Sequence, residues 1–264
     1  MSSDTSATPG GNTRDIRQQR ISDFVIDHGS AQVAELVRLT GVSHMTVHRD
    51  IDELVRRGLL RKFRGGVSAQ PSTVFESNAE YRLNSHVAAK NAIARKARHL
   101  IEPGMSVLLD DSTSALALAP LLADVTPLTV ATNYVRTIEA LKDLDDIRLI
   151  GLGGDYSRTH DSFLGMPCLE AVGNITVDIV FVSTSAMTAD MTYHQEPEIV
   201  MVKRAMLASA VTKVLLMDSS KLSRTALHRL APVTDYDRLV VDSDAPDEFI
   251  EEAAKNLDVG VAQL

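Results

Sequence analysis

Three stretches in the first sixty residues place apolar side chains three and four positions apart, the spacing of one buried helix face. The sets are Ile21, Phe24, Val25 and His28; Val33, Leu36, Val37 and Thr40; and Val47, Ile51, Leu54 and Val55. Gly29, Gly41 and Gly58 follow the three sets, and glycine just past the last periodic residue is a common helix end. The pattern predicts three short helices around one small core.

The break between the second and third helices is only three residues long, 41–43, which suits the sharp turn of a helix-turn-helix. Ser43 is a good N-cap for the third helix. With Val47 and Ile51 facing inward, the outward polar residues near this N-terminus are placed to meet base edges and phosphates. The predicted DNA-binding residues here are Ser43, His44, Thr46, His48 and Arg49. A solvated polar helix face is the alternative.

Residues 59–67 alternate apolar and basic side chains and then turn at Gly65 and Gly66, which predicts a β-hairpin. Placed after a helix-turn-helix, this hairpin is a wing. Its basic residues Arg61, Lys62 and Arg64 are expected to lie along the duplex backbone.

The charge distribution supports a nucleic-acid partner for this segment alone. The whole chain of 264 residues has a formal net charge of −8, yet residues 1–70 hold ten Lys and Arg against eight Asp and Glu. Residues 49–64 hold six basic side chains and three acidic ones. Because phosphate attraction acts over about 8 Å at physiological salt, a local basic surface is sufficient.

The composition narrows the class of protein further. With 44% hydrophobic residues the chain can bury a small and a medium domain. No apolar run approaches the roughly 20 residues of a membrane span, and the first twelve residues are polar, so a cytoplasmic protein with no membrane partner is expected. The single cysteine, Cys168, excludes an internal disulfide and a cysteine-cluster zinc site. No metal site and no cofactor are expected.

The domain prediction is a winged helix-turn-helix over residues 14–70, a linker over 71–89 and an α/β effector-sensing domain over 90–264. The segment 68–76 lacks periodicity and is interpreted as a hinge. A helix is predicted over 81–100, with Lys90, Arg95, Lys96 and Arg98 on a solvated face.

Beyond residue 105, short apolar runs alternate with helical stretches. The runs are 106–110, 128–132, 147–151, 178–182, 213–217 and 238–242. Strands separated by helices predict a mainly parallel sheet covered on both faces, hence the α/β class. Ligands of such sheets bind outside the carboxyl ends of the strands.

Polar residues recur at the ends of these strands. The first strand runs into hydroxyls and a helical stretch, which favours phosphate, while glycines after the third allow close backbone approach to a ligand. The predicted effector-binding residues are Asp110, Asp111, Ser112, Thr113, Ser114, Thr132, Asn133, Gly153, Gly154, Ser185, Lys203 and Lys221.

Residues 42–60 (VSHMTVHRDIDELVRRGLL), followed by Arg64-Gly-Gly, resemble the N-terminal signature of DeoR-type bacterial regulators. The order of the strand-end motifs up to Asp218-Ser-Ser-Lys221 resembles their sensor domain, so the likeness spans about residues 14–242. It implies a ribose-5-phosphate-isomerase-like fold, an effector that is a phosphorylated sugar or polyol, and repression relieved by that effector. The chain departs from the family's Asp-Ser-Gly-Thr-Thr at Asp111, a second carboxylate that favours recognition of hydroxyls.

The expected function is therefore a DNA-binding regulator, most simply a repressor of a carbohydrate or polyol operon, with double-stranded operator DNA and a homo-oligomeric copy as partners. The sequence does not distinguish a repressor from an activator of transcription. One alternative is a sugar-phosphate isomerase-like enzyme, for which Asp110, Asp111, Glu196, Glu198 and Lys203 offer acid and base groups. Another is a winged helix that serves only protein interaction.

Overall fold

The computed structural model describes residues 13–28, 30–56, 59–69 and 79–264, and its backbone divides into two compact units, residues 1–76 and 77–264. The predicted helix-ending Gly29 and Gly58 and most of the predicted hinge lie outside the described residues. No helix in the described ranges is long and apolar enough to cross a membrane.

The N-terminal unit combines three helices with a small antiparallel sheet. Its elements are α1 (Thr13–His28), β1 (Ser30–Gln32), α2 (Val33–Thr40), α3 (His44–Arg56), β2 (Leu60–Phe63) and β3 (Gly66–Ala69). The strand order β1-β3-β2 adds a third strand to the predicted hairpin. With only three residues, β1 is too short to show alternation in the sequence. The helices and hairpin confirm the predicted winged helix-turn-helix.

The core of this unit is drawn from all three helices and the wing. Its fully buried apolar residues include Ile21, Val25, Leu36, Val47, Ile51, Leu54, Leu60 and Val67. His28 was expected in this core and is instead exposed. It lies in the last turn of α1, where its Nδ1 is 2.8 Å from the carbonyl oxygen of Phe24.

The larger unit is built on seven parallel strands. They are β4 (Ser106–Leu109), β5 (Leu128–Thr132), β6 (Ile147–Gly151), β9 (Val177–Val182), β12 (Ala210–Met217), β14 (Arg238–Asp242) and β15 (Asp258–Ala262). Their order is β15-β14-β12-β9-β4-β5-β6, and each neighbouring pair is parallel. The predicted mainly parallel α/β class is confirmed. The edge strand β15 lies beyond the six predicted strands and beyond the part of the chain that carries the family resemblance.

Helices cover both faces of this sheet. They are α4 (Ala79–Asn84), α5 (Val87–Arg98), α6 (Thr113–Leu116), α7 (Val135–Leu141), α8 (Gly165–Gly173), α9 (Pro197–Ala208) and α10 (Asp247–Ala253), with short 3-10 turns at Ala119–Val125, Ser219–Lys221 and Val233–Asp235. Side chains alternate between two cores along each strand. In β4, for example, Val107 packs with Ile93 of α5, and Leu108 packs in the core that contains Met206 of α9.

The segment predicted as one helix over 81–100 is two helices. His86 has a left-handed backbone with φ of 51°, which separates α4 from α5. Residues 79–89 of the predicted linker therefore hold α4 and the start of α5, within the larger unit. Lys90 was expected on a solvated face and is instead 5% exposed, whereas Arg95 and Lys96 are exposed.

Short antiparallel strands lie beyond the carboxyl ends of the parallel ones. A hairpin pairs β7 (Asp155–Ser157) with β8 (Ser162–Leu164), and a second sheet has the order β10-β11-β13, with β10 (Ala186–Met187), β11 (Met191–His194) and β13 (His228–Pro232). Strands of two to five residues leave no clear period in the sequence. They bring Ser162 and His194 close to the residues that follow β4.

The direction in which successive strands are added to the sheet changes between β4 and β9. From β4 the chain continues outward through β5 and β6, and it then returns to place β9 and β12 on the other side of β4. Such a switch point opens a crevice at the carboxyl ends of the two strands, which is where open α/β sheets bind ligands.

Candidate functional site

The N-terminus of α3 presents a polar surface to solvent. His44, His48 and Arg49 are exposed and Thr46 is half-buried, while Val47 on the opposite face is fully buried. Ser43 caps the helix as predicted, because its Oγ accepts the backbone N–H of Thr46 at 3.3 Å. The predicted reading residues thus share one accessible face with the geometry that a reading helix needs.

Met45 also belongs to this face and was not among the predicted residues. Its side chain is 66% exposed, although methionine is normally buried. An exposed apolar side chain on a reading helix can contact a thymine methyl group in the major groove. The signal available in the sequence was its position two residues before the buried Val47, which places it on the outward face of the helix.

A buried carboxylate fixes α3 against α1. Asp50 is 1% exposed and accepts hydrogen bonds from Arg17 Nε at 2.5 Å and Gln18 Nε2 at 3.0 Å. The hydrogen bond to Asp50 raises the pKa of Arg17. Asp50 is therefore a positioning residue for the reading helix. Sequence reasoning missed it because it treated the acidic residues of α3 only as counter-charges.

The wing places its basic residues in solvent as expected. Arg61, Lys62 and Arg64 are exposed, and Lys62 forms an ion pair with Asp52 of α3. At Gly66 a Cβ atom would overlap the carbonyl oxygen of Ala31 and lie 2.7 Å from Phe63 Cζ. Glycine is thus required where β3 passes between β1 and β2.

In the larger unit, the loop after β4 carries the first part of a polar pocket at the switch point. Asp110 is fully buried, and its carboxylate accepts the backbone N–H of Ser112 at 3.0 Å and that of Ser183, after β9, at 2.8 Å. The ammonium group of Lys203, on α9, donates to the same carboxylate. One side chain therefore ties together the ends of β4 and β9 and the helix beneath them.

Asp111 is bound on both oxygens by the protein itself. Its Oδ1 accepts from Lys203 Nζ at 3.0 Å and its Oδ2 from Ser162 Oγ at 2.9 Å. Burial alone would raise the pKa of Asp111, but the charges of Lys203, Arg82 and His160 outweigh burial and lower it. Burial likewise would lower the pKa of Lys203, but Asp110 and Asp111 raise it. Lys203 is thus a charged side chain between two carboxylates.

Two of the predicted anion-binding amides after β4, those of Ser112 and Ala115, have partners within their own loop. Ser112 N–H is bound to Asp110, and Ala115 N–H donates to Ser112 Oγ at 3.1 Å. Thr113 and Ser114 are buried in α6, which is a single turn long. This loop therefore offers hydroxyl groups, while part of its backbone donors is already used within the loop.

The residues at the ends of β5 and β6 contribute unequally to the pocket. Thr132 Oγ1 accepts the N–H of Tyr134 at 3.1 Å, and Asn133 Nδ2 donates to the carbonyl oxygen of Phe163 at 2.9 Å. A Cβ atom added at Gly154 would overlap the carbonyl oxygen of Leu164 and lie 2.8 Å from Cys168 Cβ. A Cβ atom added at Gly153 would have no neighbour within 4 Å. Close packing within the chain explains Gly154 without a ligand.

Lys221 and Ser185 lie at the opposite side of the switch point. Lys221 Nζ is 3.3 Å from both Ser183 Oγ and Asp218 Oδ2. Burial would raise the pKa of Asp218, but Lys221 and Ser220 hold it down at about 2. Ser185 is buried and its N–H donates to Tyr193 O at 3.2 Å.

Two basic residues that sequence reasoning did not assign to the pocket join it here. Lys90 Nζ donates to Ser85 O at 2.6 Å and to Arg82 O. Burial, together with the charges of Lys221 and Arg82, lowers the pKa of Lys90 to about 7. Arg82 Nη1 is 3.5 Å from Asp111 O, and its Nε and Nη2 are buried without a partner among the described residues.

Several buried acceptors and hydroxyls around the pocket also lack partners in the described part of the chain. They are Ser114 Oγ, Asn133 Oδ1 and Tyr134 OH. Burial raises the pKa of Tyr134 to about 12, and the charges of Arg82 and Asp111 both act on its hydroxyl. Buried polar groups normally have partners, so these groups are suited to a ligand rich in hydroxyls.

Two histidines line the same region. His160 is 3% exposed, and its Nε2 is 2.8 Å from Glu196 Oε2. Burial lowers the pKa of His194 to about 3, and Lys203 adds to this effect. His194 is thus neutral at physiological pH, and its Nδ1 accepts the backbone N–H of Glu196 at 3.2 Å, which leaves Nε2–H as a donor.

A separate cleft of about 380 Å³ lies at the amino ends of the strands, away from these residues, and is lined by Asp178, Asp237, Arg238 and Asp258 among others. Its carboxylates serve the fold. Asp178 accepts from Ser106 N at 2.7 Å, Asp237 accepts from Lys213 N at 2.7 Å, and Asp258 pairs with Arg238. The switch-point pocket is the better candidate site.

A winged helix-turn-helix joined to a parallel α/β sheet with a polar switch-point pocket defines a DNA-binding transcription regulator with a sensor domain. Residues 17–73 match the model of the DeoR-like helix-turn-helix domain, and residues 85–243 match that of the DeoR C terminal sensor domain. The chain belongs to the DeoR family.

Known relatives align over most of the chain. The L-fucose operon activator of Haemophilus influenzae is 29% identical over 88% of this chain and 94% of its own length. The glycerol-3-phosphate regulon repressor of the same organism is 29% identical over 89% of this chain and 91% of its own length. These relatives support the prediction that the chain is a regulator and not an enzyme. The solved ribose 5-phosphate isomerase A of Methanocaldococcus jannaschii is similar over 50% of this chain and 53% of its own, with a TM-score of 0.37 and 17% identity.

Proposed function

We propose that this regulator represses a carbohydrate or polyol operon and that a phosphorylated sugar or polyol, bound at the switch point of the sensor sheet, changes its affinity for operator DNA. The observation that carries this proposal is the pocket itself, where carboxylates, unpaired hydroxyls and buried cations surround the ends of β4 and β9. Carboxylates and hydroxyls bind sugar hydroxyl groups, and the cations suit a phosphate.

For DNA, we propose that α3 reads the major groove and that the wing contacts phosphates. The proposed contacts are Ser43, His44, Thr46, His48, Arg49, Arg61, Lys62 and Arg64, all of which are exposed or half-buried. Arg49 can bind a guanine edge in a bidentate manner, whereas Arg61 and Arg64 suit backbone contacts. Lys62 must exchange its ion pair with Asp52 for a phosphate.

Linkage couples the two functions in this proposal. An effector that binds one state of the protein better than another changes operator affinity, typically by 1–3 kcal/mol or about 5- to 150-fold. Because one small winged helix contacts few base pairs, we also propose a cytoplasmic homo-oligomer that binds repeated half-sites. The names of the relatives, one a repressor and one an activator, are compatible with either sign of control.

The proposal is tested with labelled DNA from upstream of the protein's own gene and a random duplex of equal length. We expect preferential binding that weakens steeply with salt, and a shift of operator affinity by one member of a panel of sugar and polyol phosphates. Each phosphate is paired with its unphosphorylated analogue. Equal binding to both duplexes, or no response to any compound, contradicts the proposal.

A further inference from the structure

The charged side chains of the switch-point pocket are divided between two ends. The carboxylate end consists of Asp110, Asp111 and Lys203, and the cationic end consists of Lys90, Lys221 and Arg82. Asp218 is the acidic neighbour of Lys221, whereas Arg82 lies where the two ends meet, because its Nη1 is 3.5 Å from Asp111 O. This division bears on how a ligand with both hydroxyls and an anionic group is oriented.

The carboxylate end is unsuited to an anion. Lys203, 2% exposed, is shared by two carboxylates that are themselves buried, so the three side chains together carry one negative charge. Asp111 already fills the position beside Lys203 Nζ that an anionic ligand would require. An incoming phosphate would have to displace this carboxylate and then meet its repulsion.

The cationic end has the opposite balance of charge, with more basic than acidic side chains. Among the described residues, Lys221 is paired with Asp218, and Lys90 also lies near that carboxylate. The carboxylate near Arg82 is that of Asp111, whose two oxygens are already bound by Lys203 and Ser162. The guanidinium of Arg82 has two buried nitrogen atoms, Nε and Nη2, without partners among the described residues. Unpaired buried donors on a cation are costly, and a ligand with two oxygen acceptors relieves this cost through a bidentate contact.

We propose that the cationic end is an anion subsite, in which Arg82 binds the phosphate group of the effector with Lys221 and Lys90 beside it, while the effector's hydroxyls face Asp110 and Asp111. This inference rests on the proposed function for the identity of the ligand as a sugar or polyol phosphate. It assigns a binding role to Arg82 and Lys90 and makes Asp111 a determinant of ligand orientation.

Proton uptake is a consequence of this arrangement. Lys90 carries a full charge in only part of the molecules near neutral pH, because burial and the charges of Lys221 and Arg82 lower its pKa to about 7 while Asp218 opposes them. A dianion bound beside Lys90 stabilises the ammonium form. Binding near pH 7.5 is therefore expected to take up protons from the buffer.

The test uses the full-length protein without DNA and inorganic phosphate as the probe, followed by ³¹P NMR or calorimetry. Four proteins are compared: the wild type, Arg82→Gln, Arg82→Lys and Arg95→Gln. Arg95 is an exposed arginine on α5, so its substitution removes the same charge from outside the pocket. Circular dichroism verifies that each variant is folded, and Lys221→Gln replaces Arg82→Gln if the latter is not.

We expect phosphate binding by the wild type and Arg95→Gln, a loss of at least about tenfold in Arg82→Gln, and an intermediate value in Arg82→Lys. Equal phosphate affinity in wild type and Arg82→Gln overturns the inference, and so does the absence of phosphate binding by the wild type. Because no DNA is present, this result is independent of whether an effector controls operator binding. A failure of that proposed function is recognised separately, in the operator assay.

Discussion

Lys203 Nζ lies 3.0 Å from Asp111 Oδ1 and also donates to Asp110, which places one buried ammonium between two buried carboxylates beneath the ends of β4 and β9. Lys203 is separated from the two aspartates by more than 90 positions in sequence, so this contact stabilises the sensor fold as well as shaping its pocket. The charge balance of the pocket depends on it.

Replacing Lys203 with Met removes the only ammonium bonded to both carboxylates among the described residues. We expect a loss of about 3–5 kcal/mol in the free energy of unfolding, because two buried charges are left uncompensated. Urea denaturation measures this loss. Adding Asp111→Asn to the lysine variant should recover part of the stability, and strictly additive effects of the two substitutions would contradict the ion triad.

Arg49→Ala is expected to weaken binding to the operator by about 1–3 kcal/mol while leaving effector binding unchanged. The physical reason is the loss of a cation from the exposed face of α3, remote in sequence from the sensor pocket. Fluorescence anisotropy with operator DNA measures the first effect and calorimetry the second. Arg98→Ala, on α5, is the matched control, and an equal loss in both variants would argue against the reading-helix assignment.

Asp50 and Asp52 lie two residues apart on α3 but differ in burial, since the side chain of Asp50 is 2% exposed and that of Asp52 is 63% exposed. Asp50→Asn should lower thermal stability and operator affinity together, because it weakens the ion pair with Arg17 that fixes the helix on α1. Asp52→Asn should change stability little and increase operator affinity slightly, since it frees Lys62 of the wing. Equal effects of the two substitutions on stability would contradict the positioning role of Asp50.

Gly153 and Gly154 are neighbours that were predicted together as ligand-approach residues. Gly154→Ala is expected to destabilise the protein by about 1–3 kcal/mol through overlap with Leu164 and Cys168, whereas Gly153→Ala should be tolerated. Thermal unfolding of the two variants, side by side, distinguishes packing from ligand contact. A stable Gly154→Ala protein that has lost effector binding would restore the original interpretation.

The pH dependence of stability tests the burial of His194. The folded-state pKa of about 3 lies below the ordinary value of 6.5, so the unfolded chain binds the proton more readily and stability falls as the pH drops below 6.5. At pH 5 this group alone costs about 2 kcal/mol relative to neutral pH.

His194→Gln should therefore flatten the stability profile between pH 6.5 and 4, measured by urea denaturation at each pH. His99→Gln, at an exposed histidine after α5, is the control and should leave the slope unchanged. The depressed pKa of Asp218, about 2, adds its own loss only below about pH 4, outside this window. Parallel profiles for wild type and His194→Gln would show that His194 is not buried in its neutral form.

Much of the fold could be predicted from local patterns. The three helices and the six apolar strands follow from spacing, because each element must bury one face or both. β15 could not, since its five residues, Asp258–Ala262, include a glycine and lie far from the other strand-end motifs. β1 is too short to show any period.

The candidate site was predictable only in part, for a different reason. Strand ends point to Asp110 and Asn133, because parallel strands collect their polar ends at one edge. Nothing local shows that Lys90 is buried or that Arg82 lacks partners, since both facts depend on residues distant in sequence. Ser162 and Lys203 are the hydrogen-bond partners of Asp111, and these contacts likewise depend on the tertiary fold.

The central claim is that effector and operator binding are linked, and a closed thermodynamic cycle tests it most directly. The dissociation constant of the active sugar or polyol phosphate is measured by calorimetry with and without saturating operator DNA, and that of the operator with and without saturating effector. The account predicts that both ratios are equal and lie between about 5 and 150. An effector that binds with the same affinity in the presence and absence of operator would contradict it.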